Sequence, residues 1–450
     1  MRRWWILLFV FGIVLTLGTI LLLGVPRPLE VSPSPGRKLI PASAPLRIRF
    51  SRPMQVESVT SRLQIEPQQH GQFTWQENTL IFTPDVPWPN GITVTVRLQA
   101  GARSTHFFSL PTLRTQTWSF QVEPLLLAYL WPADGPADIY TMDPASHKTQ
   151  RWTNGANVQD FSASADGRTL YYNAIDPNGQ AGIYRLDRLD QKTSLVLACP
   201  QADCRSVKVS PKDDFLAYEY IPLATAGQPA HSLVMLLPLA GGNPYPAGDA
   251  THDIIQPEWS PTGMLAFYDR TAQVYILLDA QAWVSYRFSN QTGAPGAWSA
   301  DGEAFIAPEI YSPENQTADI PSTSHLIRFE WRSNQQIDLI GIINVEDTSP
   351  AFSPDGKQLA FARRLLDLPS WTLGRQLWLA SADGKDTRLV TNEPGYNHYD
   401  FAWKPDSLQL AYLRFDVNQP TEPPELWIID ADGRGAVQLV IGGYSPQWIR

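Results

Sequence analysis

The sequence predicts an all-β protein in three parts: an N-terminal transmembrane helix, a β-sandwich and a seven-bladed β-propeller closed by its N- and C-terminal strands. An uncharged apolar stretch near the N-terminus is long enough to cross a bilayer. The next segment alternates apolar and polar residues, and the remainder repeats one unit at a nearly fixed period. The predicted boundaries are 1–25 for the anchor, 26–37 for a Pro-rich linker, 38–123 for the sandwich and 124–450 for the propeller.

The composition is that of a globular protein rather than a disordered one. Of the 450 residues, 43% are hydrophobic and 18% are charged, and the net charge is −9. No cluster of Lys and Arg follows the apolar stretch. Because a nucleic-acid surface needs a basic face to displace counterions, we expect no nucleic-acid partner.

The apolar stretch runs from Trp4 to Gly24 without a charged residue. As a helix it spans about 31 Å, which matches the hydrocarbon core of a bilayer. Trp4 and Trp5 would lie in an interfacial aromatic belt. A cleaved signal peptide is the alternative, but its apolar region would be shorter and no Ala-x-Ala site follows. We therefore expect an uncleaved signal anchor that contacts the lipid bilayer.

The orientation of this anchor depends on a weak charge bias. Arg2 and Arg3 lie on one side, and Arg27, Arg37 and Lys38 lie on the other. Long domains cross the membrane despite nearby charge. We expect a single-pass protein of the cell membrane with its C-terminal domains outside the cytoplasm, and a cytoplasmic propeller is the alternative.

Residues 38–123 have the period-two pattern of half-buried strands. Leu46, Ile48 and Phe50 would face one side of a strand, while Arg47 and Arg49 would face the other. Short alternating runs of this kind, separated by Pro, Gly and Asn turns, are typical of a β-sandwich.

Two motifs in this segment have a family resemblance. Arg-Phe-Ser-Arg-Pro-Met at 49–54 and Asn-Thr-Leu-Ile-Phe-Thr-Pro at 78–84 follow in order, with Gly-Ile-Thr-Val-Thr-Val at 91–96 after them. The segment resembles the bacterial Ig-like domain of S-layer and other surface proteins. The resemblance implies a spacer or an adhesive module without catalytic residues.

The repeated unit is clearest at residues 351–361, Ala-Phe-Ser-Pro-Asp-Gly-Lys-Gln-Leu-Ala-Phe, followed by a third strand at 376–380. Pro, Asp and Gly suit the tight turn between the first two strands. The third strands recur about every 48 residues, which places close to seven repeats in 124–450. Six or eight blades are the alternatives.

The two ends of the repeat region complement each other. Residues 443–449 resemble an inner strand without a partner after it, and residues 125–131 resemble the missing second strand. The last blade should therefore take its inner strand from the C-terminus and three strands from 124–153. Closing the ring in this way removes exposed strand edges.

The repeat resembles the WD40-like propeller repeat of the TolB type. Phe-Ser-Pro-Asp-Gly-Lys-Gln-Leu-Ala-Phe at 352–361 and Leu-Trp-Ile-Ile-Asp-Ala-Asp-Gly at 426–433 carry the resemblance. Propellers of this type often have six blades, whereas the count of seven comes from this sequence.

Loop lengths vary on one predicted face of the propeller. The long connections join second to third strands at 220–230, 308–324, 363–375 and 414–424. Length variation on one face of a repeat array usually marks the working surface. Most aromatic residues should pack between blades, but six residues on or near this face are our candidates for partner contact: Trp131, Tyr220, Tyr311, Trp371, Tyr396 and His398.

Cys199 and Cys204 are the two cysteines of the chain, in Cys-Pro-Gln-Ala-Asp-Cys. In an oxidising compartment they would form a small disulfide on the same face. Two unpaired thiols are the alternative.

No nucleophile elbow, phosphate-binding loop, dinucleotide motif or zinc-protease motif occurs, so we expect no catalytic residue, cofactor or metal site. Asp160, Glu258 and Asp400 occupy similar places before the turns of their repeats. Three acids in a ring do not define a reaction.

The expected function is therefore a membrane-anchored extracytoplasmic binding or scaffold protein that presents a propeller to a protein, peptide or glycan, without catalysis. The alternative is a propeller-type hydrolase or lyase with its site at the channel mouth.

Overall fold

The structure is a computed structural model that describes residues 25–105, 110–176, 178–223, 231–311, 323–341, 344–367 and 370–449. It divides into two compact units, one ending at Leu125 and one spanning 126–449. Within the described ranges, no helix is long and apolar enough to cross a membrane. The predicted anchor at residues 4–24 lies outside these ranges.

The first unit is a sandwich of two antiparallel sheets. Its strands are β1 (Pro28–Ser32), β2 (Leu46–Phe50), β3 (Leu63–Glu66), β4 (Gly71–Gln76), β5 (Thr79–Pro84), β6 (Thr93–Leu98) and β7 (Gln116–Gln121), with one short helix, α1 (Val56–Thr60). One sheet has the order β1-β2-β5-β4 and the other the order β3-β6-β7.

The alternation along β2 produces the core of this sandwich. Leu46, Ile48 and Phe50 are buried, while Arg47 and Arg49 are exposed. The buried Trp88 closes the core between the sheets, and its indole nitrogen donates to the carbonyl of Ala44 at 2.8 Å. The sandwich predicted from the sequence is therefore present.

The predicted linker at 26–37 needs a correction, because part of it is a strand of the sandwich. β1 pairs antiparallel with β2, with Val31 opposite Ile48. Val31 packs against the core, which stabilises the pairing. The prolines are tolerated because β1 is an edge strand, where missing N–H donors cost little.

The second unit consists of antiparallel groups of four strands in which chain neighbours pair in order. The fifth and sixth groups are joined into one eight-stranded sheet by a single parallel pair, Ser324 opposite Glu346. The strands are β8 (Leu126–Trp131), β9 (Asp138–Asp143), β10 (Lys148–Arg151); β11 (Val158–Ala163), β12 (Thr169–Ile175), β13 (Ala181–Asp187), β14 (Thr193–Cys199); β15 (Ala202–Val209), β16 (Phe215–Pro222), β17 (Leu233–Pro238), β18 (Tyr245–Pro246); β19 (Ile254–Trp259), β20 (Met264–Asp269), β21 (Val274–Asp279), β22 (Val284–Ser289); β23 (Ala297–Trp298), β24 (Ala304–Tyr311), β25 (Thr323–Glu330), β26 (Gln335–Asp338); β27 (Val345–Phe352), β28 (Gln358–Leu365), β29 (Gln376–Ser381), β30 (Arg388–Leu389); β31 (Tyr396–Trp403), β32 (Gln409–Asp416), β33 (Glu425–Asp430), β34 (Val437–Ile441) and β35 (Tyr444–Ile449).

The C-terminal strand completes the first group of this unit. β35 pairs antiparallel with β8, with Ile449 opposite Leu126 and Tyr444 opposite Leu130. The order of that group is therefore β35-β8-β9-β10. This is the closure that the sequence predicts, and it leaves β8 paired on both sides.

Tryptophan hydrogen bonds connect the inner strands. We use this term for the first strand of each group and, in the group that closes the ring, for β35. In four inner strands the indole nitrogen donates to a carbonyl one group earlier, at 2.9–3.0 Å: Trp259 to Lys208, Trp298 to Glu258, Trp403 to Ala351 and Trp448 to Ala402. The repeated register turns successive sheets by similar steps around one axis. The arrangement is that of a β-propeller.

The Ser-Pro-Asp-Gly turns explain why the first two strands of a group stay close. The hydroxyl of Ser353 donates to the carboxylate of Asp355 at 2.6 Å and accepts from the backbone N–H of Gln358 at 2.9 Å. Gly356 has φ of +71°, a conformation that favours glycine. These turns lie at one end of the sheets and leave the other end to longer connections.

Candidate functional site

Because the strands of each group alternate in direction, second-to-third connections and links to the next group lie at the same end of the sheets. We call this end the long-loop face. Residues 224–230, 312–322 and 368–369 of its long connections lie outside the described ranges.

Two of the predicted contact residues are exposed on the long-loop face. Trp131, at the end of β8, is 40% exposed, and its indole nitrogen donates to the carbonyl of Ile441 at 3.2 Å. Trp371, in the connection after β28, is 46% exposed. Both rings are therefore available to a partner.

The three predicted tyrosines are partly exposed and held by neighbours. Tyr220 is paired with Cys204 across β16 and β15. The ring of Tyr311 stacks on the ring of His325 at 4.4 Å between centroids. The ring of Tyr396 lies 4.2 Å from the guanidinium carbon of Arg414. All three tyrosines are therefore less exposed than Trp131 and Trp371.

His398 is not placed to contact a partner, which corrects the expectation from the sequence. It is fully buried. Its Nδ1 lies 3.0 Å from the carbonyl oxygen of Arg375, and its Nε2 lies 3.4 Å from Glu393. The sequence suggested a residue at the channel mouth because His398 stands near the start of an inner strand, but internal hydrogen bonds hold the ring.

Sequence reasoning missed four further exposed apolar side chains on the long-loop face. Ile310 lies near the end of β24 and Leu223 directly follows β16, while Leu373 follows Trp371 by two residues and Ile441 ends β34 beside Trp131. Each of the four is an apolar residue at or near the end of a strand, and this position in the sequence could have identified them.

Cys199 and Cys204 form a disulfide in the structure. Cys199 ends β14 and Cys204 lies in β15, so the bond connects the last strand of one group to the inner strand of the next. Both residues are buried in the packing between the two groups. The bond holds the long-loop end of β15, where Cys204 is opposite Tyr220.

Ion pairs hold the long-loop ends of β27 to β29. Arg363 and Asp347 form a fully buried bidentate pair at 2.7 and 2.8 Å. Beside them, the carboxylate of Glu346 accepts from both Arg364 and Arg375, the latter at 2.8 Å. Removing one partner of a buried pair leaves an uncompensated charge, so these side chains fix the strand ends.

A second ion-pair cluster lies at the corresponding ends of β31 to β33. The guanidinium of Arg414 is hydrogen-bonded to Glu393 and, at 2.8 Å, to Glu425, and lies 3.9 Å from the ring of Trp427. Hydrogen bonds from His398 and Arg414 lower the pKa of Glu393 to about 2, although the burial of this carboxyl group acts to raise it. The long-loop face therefore has a rigid base.

A charged cluster at the axis of the ring is the other candidate site. Asp160, Lys208, Glu258 and Asp400 come from inner strands of four different groups. Lys208 Nζ lies 3.0 Å from Glu258 Oε2. Lys208 also interacts electrostatically with Asp160 and Asp400. Because the inner strands of a propeller surround its central channel, we expect all four charges to face the axis. We call these four residues the axial cluster.

Burial by the surrounding protein raises the pKa of both aspartates of the axial cluster to about 6. Lys208 opposes this rise in each case. The pKa of Lys208 itself is raised, chiefly by Glu258. Asp160 is half-buried and Asp400 is exposed, so the rise in pKa comes from protein atoms crowded around each carboxylate and not from full enclosure of the side chain.

β-Bulges direct side chains of the inner strands toward the axis. Asp400 has φ of +55° where the register between β31 and β32 shifts. Ser206, Gln256, Ser349 and Ser445 occupy the corresponding place in other inner strands, also with positive φ. A bulge re-aims a side chain at such a position. Five inner strands therefore share one bulge position, and Asp400 is the charged residue among the five.

A cavity of about 310 Å³ adjoins the axial cluster on the side of the short turns. Lys208, Glu258 and Gln447 line it, with Ser162 and Ser260. In the part of the chain that the structure describes, no group of three His, Cys, Asp or Glu could hold a metal ion. The cavity is small and its lining is mixed, with the Lys208–Glu258 pair and serine hydroxyls beside alanine, proline and tryptophan side chains.

The sequence identified three of the four axial residues and missed Lys208. Its signal was present, because Lys208 precedes Ser210-Pro by two residues, as Glu258 precedes Ser260-Pro. The two positions are therefore equivalent in adjacent inner strands. Asp160 and Asp400 both stand two residues earlier in their repeats, so the similar placement assigned to all three acids is only approximate.

Comparisons with known proteins agree with this fold. Residues 25–122 match the bacterial Ig-like domain family. A putative TolB from Agrobacterium tumefaciens has 17% identity over 71% of this chain and 90% of that one, with a TM-score of 0.40. TolB from Acinetobacter baumannii has 12% identity over 86% of this chain and 83% of that one, with a TM-score of 0.43.

A structure from a study of two prolyl endopeptidases has 12% identity over 79% of this chain and 49% of that one, with a TM-score of 0.50. A comparison with the curated proteins finds no match. Similarity at these identities shows the fold alone. Residues 25–122 match a bacterial Ig-like domain, and TolB proteins are among the solved structures that are similar to this chain.

Proposed function

We propose that this chain is a membrane-anchored extracytoplasmic binding or scaffold protein without catalytic activity. Residues 1–25 would anchor it in the cell membrane, and the Ig-like domain would act as a stalk. The propeller would have seven blades, with the eight-stranded sheet counted as two, and would present its long-loop face to a protein, peptide or glycan.

The observation that carries the proposal is the exposure of Trp131 and Trp371 on the long-loop face. Large aromatic side chains dominate the energetics of binding sites, where they fill pockets or cover apolar surface. Leu223, Ile310 and Ile441 extend the apolar surface on the same face. These side chains belong to several groups of the same face, so a large partner that covers this face would contact them together.

The rigid base of the long-loop face supports the same proposal. A surface that is already ordered loses less conformational entropy on binding. The buried Arg363–Asp347 pair, the Arg414 cluster and the Cys199–Cys204 disulfide order three separate parts of this face. The exposed tryptophans therefore lie on a preorganised platform.

Site-specific photo-cross-linking tests the binding face. A photoreactive phenylalanine analogue would replace Trp131 or Trp371 in the full chain expressed in its own cells. The matched control is Trp283, which is 51% exposed but lies at a turn between third and fourth strands, on the opposite face. We expect one discrete adduct from both test positions and none from position 283.

Adducts at position 283 alone, or at all three positions equally, would place the binding surface elsewhere or show nonspecific contact. To confirm that the adduct reports a binding site, Trp131→Ala should reduce the yield at position 371 severalfold, because hot-spot residues of one patch act together.

A hydrolase or lyase is the second candidate, and the axial cluster is the observation that favours it. Asp160 and Asp400 have raised pKa values beside Lys208, a pattern that recurs at catalytic sites. Incubation of the purified chain with polysaccharide and peptide panels tests this alternative. Turnover that Asp160→Asn and Asp400→Asn abolish would establish an enzyme, whereas we expect no turnover.

A further inference from the structure

A cavity of about 580 Å³ lies at one end of the Ig-like domain and is basic. Arg27, Arg52 and Arg114 line it, and none of its nine lining residues is acidic. These arginines come from separate parts of the sequence, before β1, after β2 and before β7. The sequence showed no cluster of basic residues because only the fold brings them together. We call this site the basic cavity.

The position of the basic cavity relates it to the predicted anchor. Val25 belongs to its lining and directly follows the apolar stretch that ends at Gly24. The backbone carbonyl of Arg27 accepts a hydrogen bond from the N–H of Ser51 at 2.9 Å, and the N–H of Arg27 donates to the hydroxyl of Ser51 at 3.1 Å. Three extended residues reach at most about 11 Å, so Arg27 would lie within that distance of the end of a membrane span.

The charge of the chain is divided unevenly between its two parts. Residues 25–122 contain ten Lys and Arg and five Asp and Glu, a net charge of +5, within a chain whose net charge is −9. Residues 123–450 contain 23 basic and 39 acidic residues, a net charge of −16. An anionic surface would therefore attract the Ig-like domain and repel the propeller.

We propose that the basic cavity binds the anionic headgroups of the bilayer in which the chain is anchored. The phosphate of an anionic lipid would lie among the three arginines, which donate to phosphate oxygens in planar, bidentate geometry. Leu113, which lines the cavity and is 58% exposed, would enter the interfacial layer. This inference rests on the proposed membrane anchor.

The consequence of this docking is a fixed stalk. Arginines near an anionic membrane each contribute roughly fivefold to association, so three together contribute on the order of 100-fold. That is enough to hold the Ig-like domain against the bilayer when the anchor keeps it nearby. The domain would then be an oriented base rather than a freely swinging spacer.

Fluorescence quenching in nanodiscs tests the proposal on the full chain. The two natural cysteines are bonded to each other, so Leu113→Cys can carry an environment-sensitive fluorophore as the single label. The discs would contain phosphatidylcholine alone or with phosphatidylglycerol, plus a headgroup-attached quencher. We expect at least about twofold stronger quenching with phosphatidylglycerol, and loss of the difference in high salt.

Two sets of charge-neutralising variants distinguish lipid binding in the basic cavity from general electrostatic attraction between the domain and the lipid. Arg27→Gln, Arg52→Gln and Arg114→Gln together should abolish the lipid dependence. Arg37→Gln, Arg47→Gln and Arg97→Gln together remove the same charge from exposed residues of the same domain that do not line the cavity. This control should keep most of the dependence.

Equal quenching in both lipid compositions would overturn the proposal, as would an equal loss in both sets of variants. Failure of the chain to co-migrate with the discs would instead contradict the membrane anchor. Cosedimentation of the unlabelled chain with phosphatidylglycerol vesicles then tests the cavity separately, where binding that the cavity variants lose supports it and absence of binding refutes it.

Discussion

Tryptophan residues have two different roles in the propeller, and the surroundings of the indole nitrogen decide between them. Trp403 is buried and donates to the carbonyl of Ala351 in the preceding inner strand at 3.0 Å. Trp371 is exposed on the long-loop face. The first kind of tryptophan holds adjacent sheets in register, and the second is available to a partner. The sequence distinguishes them, because the first kind comes directly before an inner-strand turn.

The inter-sheet hydrogen bond of Trp403 makes a measurable contribution. Trp403→Phe keeps an aromatic ring but leaves the carbonyl of Ala351 without this donor, and Phe352 shows that the repeat accepts phenylalanine at this place. We expect the free energy of unfolding to fall by about 1 kcal/mol. Urea unfolding measures this, with the exposed Trp283→Phe as the control. Equal effects of both substitutions would contradict the role assigned to Trp403.

The axial aspartates should make stability depend on pH. Their folded pKa of about 6 lies above the ordinary 3.8, so the folded state holds extra protons between these values. The contribution of these two aspartates to the free energy of unfolding should therefore decrease as pH rises through this window. Asp160→Asn with Asp400→Asn should be more stable than the natural chain at pH 8, with the difference vanishing near pH 4.

Urea unfolding at intervals between pH 4 and pH 8 measures this dependence. Asp134→Asn, at an exposed position outside the axial cluster, is the control. A double variant that is less stable than the natural chain at pH 8 would show that Lys208 stabilises the aspartates as anions.

At the scale of elements, the connection between β14 and β15 differs from the others because a disulfide joins them. The bridge closes a short segment, with a sequence separation of 5. Chain-entropy models give about 2 kcal/mol for so small a loop. Its structural effect is local, because Cys204 lies opposite Tyr220 at the long-loop end of β15.

Removal of this disulfide should lower stability without changing the fold. We expect Cys199→Ala with Cys204→Ala to lower the free energy of unfolding by about 2 kcal/mol. Reductant should lower the melting temperature of the natural chain and leave that of the variant unchanged. Equal sensitivity of both proteins to reductant would contradict the assignment.

The sequence predicted the strands and turns more accurately than it predicted which side chains contact one another between strands. The Ser-Pro-Asp-Gly turns are held by hydrogen bonds between neighbouring residues, as at Ser353, so the sequence alone predicts where they lie. The linker prediction failed at Val31, because an edge strand is defined by its partner rather than by its own residues. Lys208 was missed and His398 was misplaced for the same reason, since contacts across groups decide which residue faces the axis and which is enclosed.

For the whole molecule, closure by β35 is the feature on which the ring depends. β35 covers the edge of β8, and Leu127 and Ala128 of that strand are fully buried. Without β35, unpaired backbone groups and apolar side chains would face water. The two ends of the repeat region thus stabilise each other across more than 300 residues of sequence.

Deletion of residues 444–450 should therefore open the ring. We expect loss of the cooperative unfolding transition of the propeller and a strong tendency to aggregate. Deletion of Arg450 alone, which lies beyond β35, is the matched control and should melt like the natural chain. Differential scanning calorimetry compares them, and a cooperative, soluble product from the longer deletion would contradict the role of closure.

The central claim is that the chain is a tethered protein whose propeller faces outward. Protease treatment of intact cells, with and without reductant, followed by mass mapping of Cys199 and Cys204, tests it most directly. We predict external cleavage of the propeller, a membrane-retained N-terminal fragment and a peptide carrying the Cys199–Cys204 bond. Protection of the chain in intact cells together with free thiols would contradict the claim and place the propeller in the cytoplasm.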